Sequence, residues 1–545
     1  MKPTLMTWFH TIRYLRFKQI YSRLWFKLYY PAPDFTPAPC RRQPVERWQL
    51  TCKRTISLLR PWVFRFLNEE RELINPQSWQ DVHTEKLWLY NLHYFDDLNA
   101  MGAEKRTALH REFLMRWVNE NPPGAGVGWE PYPTSLRIVN WIKWVLFGND
   151  LDSLFLNSLA TQTRWLFRRI EFHLLGNHLF SNAKALVFSG LFFTGPEADN
   201  WYSVGMALLE QELSEQILPD GGQFERTPMY HALALEDMLD LLNLLYTFNI
   251  VPPLTWKDYI VRMYKWLMAM VHPDGEISFF NDAAMGVAPS LLELKKYGQR
   301  LRAIPDNVSL SSKILHLKES GYLRANLGPM LAILDVAPVG PDYLPGHAHA
   351  DTLSFEISLY EQRLLVNSGT SFYGIGEERL RQRGTAAHNT VIINGQDSSE
   401  MWGNFRVARR AQPFDLFIEH SRPSICVRCN HNGYYRLTGR PIHQRCWEIS
   451  EHQMKITDWI HGPYTQAEAR YHIHPDVSIS QDDLQKSRLR LTLPSQHHVQ
   501  LIIEGNWRIE ESTWHPSFGI SLPNTCLNVS FTDKHVCVTI IWQCL

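Results

Sequence analysis

The chain has 545 residues, 45% of them hydrophobic and 20% charged, more than one core organises, so two or three globular domains are expected. Lysine plus arginine balances aspartate plus glutamate at 55 each, which excludes the bulk positive field of a nucleic-acid binder and the acidic excess of a disordered chain. The eight cysteines are scattered, with Cys426 and Cys429 as the only close pair, so neither a disulfide scaffold nor a zinc knuckle is expected.

The first thirty residues interleave Arg13, Arg16, Lys18, Arg23 and Lys27 with aromatics and lack the uninterrupted apolar core of a signal peptide or membrane span. They read as a basic amphipathic helix that packs on its own domain or touches a membrane surface, and they predict a cytoplasmic or membrane-associated protein. From about residue 85 to 315 the apolar period is near 3.6, in "SLRIVNWIKWVLF", "LFSNAKALVFSGLFF", "WYSVGMALLEQELSEQIL", "HALALEDMLDLLNLLYTF" and "TWKDYIVRMYKWLMAMV". Two Pro-Asp-Gly triplets, starting at Pro219 and Pro273, lie 54 residues apart and mark stacked or circularly arranged helix pairs.

Several loops of this half carry chemistry. "NPPGAGVGWEPYPTSLRIVNW" sets Trp129 and Tyr132 before a helix bearing Arg137; aromatic faces suit sugar rings and an arginine can clamp an acid. In "LLGNHLFSNAKAL", Asn177 and His178 precede an apolar helix with Ser181 as its expected cap, and an amide and an imidazole there could bind a carboxylate. In "GGQFERTPMYHALALEDML", Thr227 caps a helix, Pro228 takes its first position and Tyr230 falls in the first turn, where the helix dipole favours a phenolate and hence use as a base. Arg226 and His231 flank it.

After about residue 316 the period becomes two, in "LSFEISLY", "SICVRC", "VQLIIEG", "VCVTIIW" and similar runs, which predicts an antiparallel sandwich. Cys426 and Cys429 fall inside one such strand and read as structural. "PGHAHADTLSFEISLY" sets His347, His349 and Asp351 at alternate positions; as an extended segment it would place them on the buried side with Leu353, Phe355 and Ile357, leaving Thr352, Ser354 and Glu356 wet. That pattern calls for a metal or catalytic role. Trp402, Arg406, Arg409 and Arg410 in "WGNFRVARRA" are candidates for gripping an acidic chain, or a solvated strand edge.

The stretches "GNHLFSNAKAL", "GGQFERTPMYH", "GHAHADTLSFE" with "LLVNSGT", and "TAAHNTVIING" together resemble the heparinase II/III-like polysaccharide lyases. The resemblance implies an α+β multidomain chain: an N-terminal helical extension (1–84) packed on an incomplete α/α toroid (85–315), then an antiparallel β-sandwich (316–545). It implies β-elimination on a uronic-acid-containing polysaccharide, with Asn177 and His178 neutralising the carboxylate and Tyr230 and His347 moving protons. It also implies a zinc ion held by His349, residue 367 and His388, and here residue 367 is Asn367, a neutral oxygen where zinc prefers an anion. Relatives of this kind act in the periplasm, and a role in capsule or exopolysaccharide handling fits the basic N-terminus. A glycoside hydrolase would instead need paired carboxylates, for which Glu130, Asp220, Glu225 and Asp282 are available. A non-catalytic polysaccharide-binding factor is the other alternative.

Overall fold

The computed structural model describes residues 4–310, 312–421, 424–481 and 487–542. Two short N-terminal helices, α1 (Leu5–Ile12) and α2 (Phe17–Leu28), precede an extended segment and a small sheet of Leu58–Arg60, Val63–Phe66 and Glu69–Glu72. That sheet, built on Val63, Phe64 and Phe66, was not foreseen in an extension read as helical.

Among the described residues nine α-helices follow: α3 (Lys86–Tyr94), α4 (Thr107–Glu120), α5 (Pro131–Leu146), α6 (Ser153–Arg168), α7 (Gly176–Phe192), α8 (Pro196–Gln216), α9 (Pro228–Thr247), α10 (Trp256–Ala269) and α11 (Leu291–Arg300). The odd-numbered helices α3 to α11 pack each on the next as an inner arc, with α6 against α5 and α7, α8 against α7, and α10 against α9 outside it. The arrangement is an open helical toroid. Every residue of α7 except Asn177 and His178 is buried, as suits a helix apolar on all sides. Its contact with α8 is backbone-close: a Cβ on Gly190 would lie 2.5 Å from the Tyr202 nitrogen, and one on Gly205 would lie 2.8 Å from Val187 Cγ2.

The spaced Pro-Asp-Gly triplets are a structural repeat. Each turn is closed by an antiparallel bridge, Ile217 with Gln223 and Val271 with Ile277, so the same hairpin recurs after α8 and after α10. The first leads through Glu225 to α9 and the second leads to Asp282. Both chains exit toward the second half.

That half is a sandwich of two antiparallel sheets. The nine-stranded sheet runs in the order Asn506–Trp514, Leu522–Ser530, Ala467–Ile473, Gln362–Leu365, Phe355–Leu359, Met330–Asp335, Tyr322–Leu327 and Ile314–Leu317, with Val391–Ile393 also on Ala467–Ile473. The eight-stranded sheet is centred on Gln453–His461 and His535–Trp542. Between them lie Phe355, Ile357, Trp447, Ile456, Tyr471 and Ile540. One short helix, α12 (Glu377–Arg383), lies in the connection after Gln362–Leu365.

The outer face of the nine-stranded sheet is covered by the toroid, which overturns the expectation of a wet side. Phe355–Leu359 is buried throughout. Glu356 is fully enclosed, accepting from His272 Nε2 at 2.9 Å and from the backbone nitrogens of Phe279 (3.1 Å) and Asn367 (2.7 Å). A buried carboxylate is tolerated because each oxygen is met. Cys426 and Cys429 lie on one strand, and the seven described cysteines are free thiols; Cys544 lies outside the described residues.

Candidate active site

Two helix N-termini of the toroid and one loop of the sandwich meet at the seam between the halves. The α9 start is built as its sequence predicts: Thr227 Oγ1 accepts from the Tyr230 nitrogen at 3.1 Å and Pro228 occupies the first position. Tyr230 thereby points out of the first turn, with its ring centroid 4.0 Å from that of His347. Its hydroxyl lies 3.2 Å from that of Tyr373.

The histidine comes from a loop. His347, His349 and Asp351 precede the strand at Phe355 and do not alternate within it; Leu353 has φ +61, which breaks any extended run. The loop is instead clamped from the toroid side by the segment after α10. Asn281 donates its backbone nitrogen to Asp351 Oδ2 (3.0 Å) and accepts from the His349 nitrogen (3.0 Å). Burial pushes the Asp351 carboxyl up to about 6.

Asp282 is the hub. Wholly buried, it takes His347 Nδ1 at 2.9 Å, His349 Nε2 at 2.9 Å and a two-pronged contact from Arg379, the Nη2 prong at 2.7 Å. Burial opposes its charge but is outweighed by the Arg379 guanidinium and the two imidazole bonds, so the carboxyl sits well below the usual range. A charged Asp282 fixes His347 with its proton on Nδ1, leaving Nε2 as the acceptor. Glu225 Oε2 lies 3.9 Å from that Nε2, with its pKa raised by burial.

Asn177 and His178 lie in the first turn of α7, since the helix begins at Gly176 and not at Ser181. The chain enters it through Leu175 at φ +63 and Gly176 at φ +54, close enough to Glu225 that a Cβ on Gly176 would stand 3.3 Å from its Oε1. His178 Nδ1 is 3.2 Å from Glu171 Oε1, and its ring lies 4.4 Å from that of Tyr132. The half-buried residues Asn177, His178, Tyr132, Tyr230, His347 and Tyr373 keep part of their surface open.

The phenol departs from expectation. Burial, then the neighbouring Tyr373 and Tyr132, raises the Tyr230 pKa well above its ordinary value, so enclosure outweighs the helix dipole and Tyr230 rests protonated. Other candidates are engaged in structural contacts. Arg137 is fully buried, giving Nε to Gln162 Oε1 (2.8 Å) and Nη1 to the Gly128 carbonyl (2.8 Å) over the Trp117 ring, and Trp129 is core beside it. Arg226 donates to the Ser320 carbonyl at 3.0 Å, tying toroid to sandwich. Trp402 and Arg406 pack on Trp8 of α1, while Arg409 pairs with Glu400 and Arg410 with Asp342. Sequence reasoning missed Tyr373 and Arg379 altogether and weighed Asp282 only as a hydrolase acid. Of the four carboxylates considered for hydrolysis, Asp220 is held by Ser320 and Glu130 by Tyr90 and Lys86, which leaves Glu225 and Asp282, both buried and set against the two nitrogens of His347.

The implied zinc donors are incomplete. His349 Nδ1 and His388 Nε2 face each other at 3.2 Å, a spacing that suits two ligands on one tetrahedral ion, each about 2.0–2.1 Å away. Asn367, however, has its oxygen engaged by the Asn389 nitrogen at 3.1 Å, and no cluster of three His, Cys, Asp or Glu side chains that could hold a metal occurs among the described residues. As it stands the set does not fit zinc.

Two family models match the chain: "Heparinase II/III N-terminus" over residues 72–311 and "Heparinase II/III-like, C-terminal" over 311–541. A heparin-sulfate lyase of Bacteroides stercoris is 27% identical over 307 residues, 51% of this chain and 45% of that protein, so the chain spans less than half of that relative's length. A heparin-sulfate lyase of Pedobacter heparinus is 22% identical over 494 residues, 78% of this chain and 72% of that protein. Among solved structures, heparinase III superposes with a TM-score of 0.69 at 18% identity, covering 88% of this chain and 79% of that one, a likeness of fold.

Proposed function

The chain belongs to the heparinase II/III-like family, and on that premise we propose that it is a polysaccharide lyase cleaving a uronic-acid-containing polysaccharide by β-elimination. The observation that carries the proposal is the meeting of Tyr230 and His347 at the seam, with His347 oriented by Asp282. The chemical problem is a weakly acidic C–H beside a carboxylate. Removing that proton pushes charge onto the carboxylate, which donors set in advance relieve by a few kcal/mol each. Asn177 and His178, at the positive end of α7, take that part.

Nε2 of His347 accepts the proton. The electron pair left on carbon forms the double bond to the neighbouring carbon, whose bond to the glycosidic oxygen breaks. Tyr230, protonated at rest, supplies the proton that oxygen needs. The imidazolium and phenolate that remain are close neighbours, so the proton passes back to Tyr230 and the resting state returns. This division assigns the base to His347 and the acid to Tyr230.

The names of the relatives make heparin-sulfate polymers the first substrates to test. Purified protein incubated with a panel of uronate polymers should generate the ultraviolet absorbance of an unsaturated uronate. Tyr230→Phe and His347→Ala should each lower that rate by about a hundredfold or more while leaving the melting temperature nearly unchanged. Reducing ends appearing without the absorbance would replace elimination by hydrolysis, and full activity in either variant would remove that residue from the mechanism.

A further inference from the structure

The N-terminal helices are inside out. In α2 the buried residue is Gln19, whose amide donates to the Tyr343 carbonyl at 3.1 Å, while the apolar side chains face away from the protein. Phe17, Ile20, Tyr21, Leu24, Trp25 and Leu28 fall at i, i+3, i+4, i+7, i+8 and i+11, one continuous stripe, and all are exposed, Phe17 to 82% and Leu28 to 83%. Helix α1 repeats the pattern, with no buried residue and with Leu5, Phe9 and Ile12 turned outward. The pair is nonetheless seated firmly. Arg16 pairs with Glu215 and lies 3.6 Å over the Tyr343 ring, Arg169 lies 3.5 Å over Phe26, and the Trp402 indole donates to Thr11 Oγ1 at 3.0 Å.

An apolar stripe this long is not left to water without a use. Its rim identifies the occupant. Lys18 and Lys27 lie at the two edges of the α2 stripe, Arg23 lies beyond one of them, Arg13 sits in the link from α1, and all four are exposed. The first 33 residues contain six lysines and arginines and no aspartate or glutamate, in a chain whose total charge is zero. Apolar and aromatic side chains framed by cations match the layered chemistry of an anionic bilayer, acyl chains below and phosphate headgroups at the rim.

We propose that α1 and α2 form a docking surface for an anionic lipid bilayer, which holds the enzyme flat on a membrane. Because the pair rests on Tyr343, Trp402 and Arg410, next to the loop that carries His347, docking would keep the seam close to the lipid surface.

The test is co-sedimentation of the full-length protein with vesicles of phosphatidylcholine alone or containing roughly 30% phosphatidylglycerol. Binding is expected to the anionic vesicles, falling by about tenfold or more when Arg23→Gln and Lys27→Gln are combined, or when salt is raised to roughly 1 M. Phe17→Ser with Leu24→Ser and Leu28→Ser should abolish it. These side chains are exposed, so the melting temperature and the elimination rate on free substrate should not change. Failure to bind anionic vesicles at low salt would overturn the proposal, as would equal binding by the serine variant. A dimer in sedimentation velocity that the serine variant dissolves would assign the stripe to a second copy of the chain instead. Vesicle binding is read without turnover, so its failure is distinguishable from failure of the lyase assignment.

Discussion

At the residue scale the site turns on Asp282, one carboxylate shared by two imidazoles and a guanidinium. Replacing it with the isosteric amide leaves the shape and removes the charge, stranding Arg379 in the interior. Asp282→Asn should therefore destabilise the protein by about 3–5 kcal/mol, read from denaturant unfolding. Where the variant still folds, kcat should fall by about a thousandfold because His347 loses the partner that fixes its tautomer. A variant with native stability and native rate would show that Arg379 and His347 are held by other contacts. Tyr373 stands one step further out, its hydroxyl 3.2 Å from that of Tyr230.

At the element scale, what positions the chemistry is the depth at which α7 and α9 are sunk into the toroid. Gly190 shows how tightly α7 is held, since its missing Cβ is where the Tyr202 backbone runs. Gly190→Ala improves helix propensity by about 1 kcal/mol, yet the clash with backbone should cost more, giving a net loss of about 1–3 kcal/mol in chemical denaturation. A stabilised variant would mean that α8 shifts freely. The helical period, the β period and the Thr227 cap were legible because each is set by residues a few positions apart. The paired Pro-Asp-Gly turns were legible for the same reason, and they deliver Glu225 and Asp282. The His347 loop was misread as strand because its partners, Asn281 and Asp282, lie some 65 residues earlier and outweigh its local alternation. Arg137 and Trp402 were misassigned because an arginine or indole facing a core neighbour carries the same letter as one facing a sugar. The inverted face of α2 was hidden likewise: periodicity reveals a stripe but not which way it turns.

At the scale of the whole molecule, burial of neutral histidines sets the response to acid. Enclosure pushes His349 and His231 down to about 4, and His93 and His472 down to about 3. The unfolded chain takes up these protons near its ordinary value of about 6.5 and the folded chain does not, so this stability is complete above about pH 6.5 and drains away as pH falls toward 4. Each fully buried histidine contributes about 3 kcal/mol to that loss. The melting temperature should drop steeply across this window and level off above it, and a flat profile from pH 7 to 4 would contradict the enclosure described. Asp282 acts lower still: its folded value is depressed, so its contribution persists until pH falls beneath the usual carboxylate range.

The two rings to which we assign the proton transfers belong to different halves of the chain, Tyr230 to the toroid and His347 to the sandwich. Their separation is therefore an angle as much as a distance. A relative tilt that displaces one ring by about 1 Å is enough to slow a well-aligned reaction by about a hundredfold. Contacts that tie the two halves together, Glu356 with His272 and Arg226 with Ser320, are therefore expected to govern the alignment on which the proposed elimination depends.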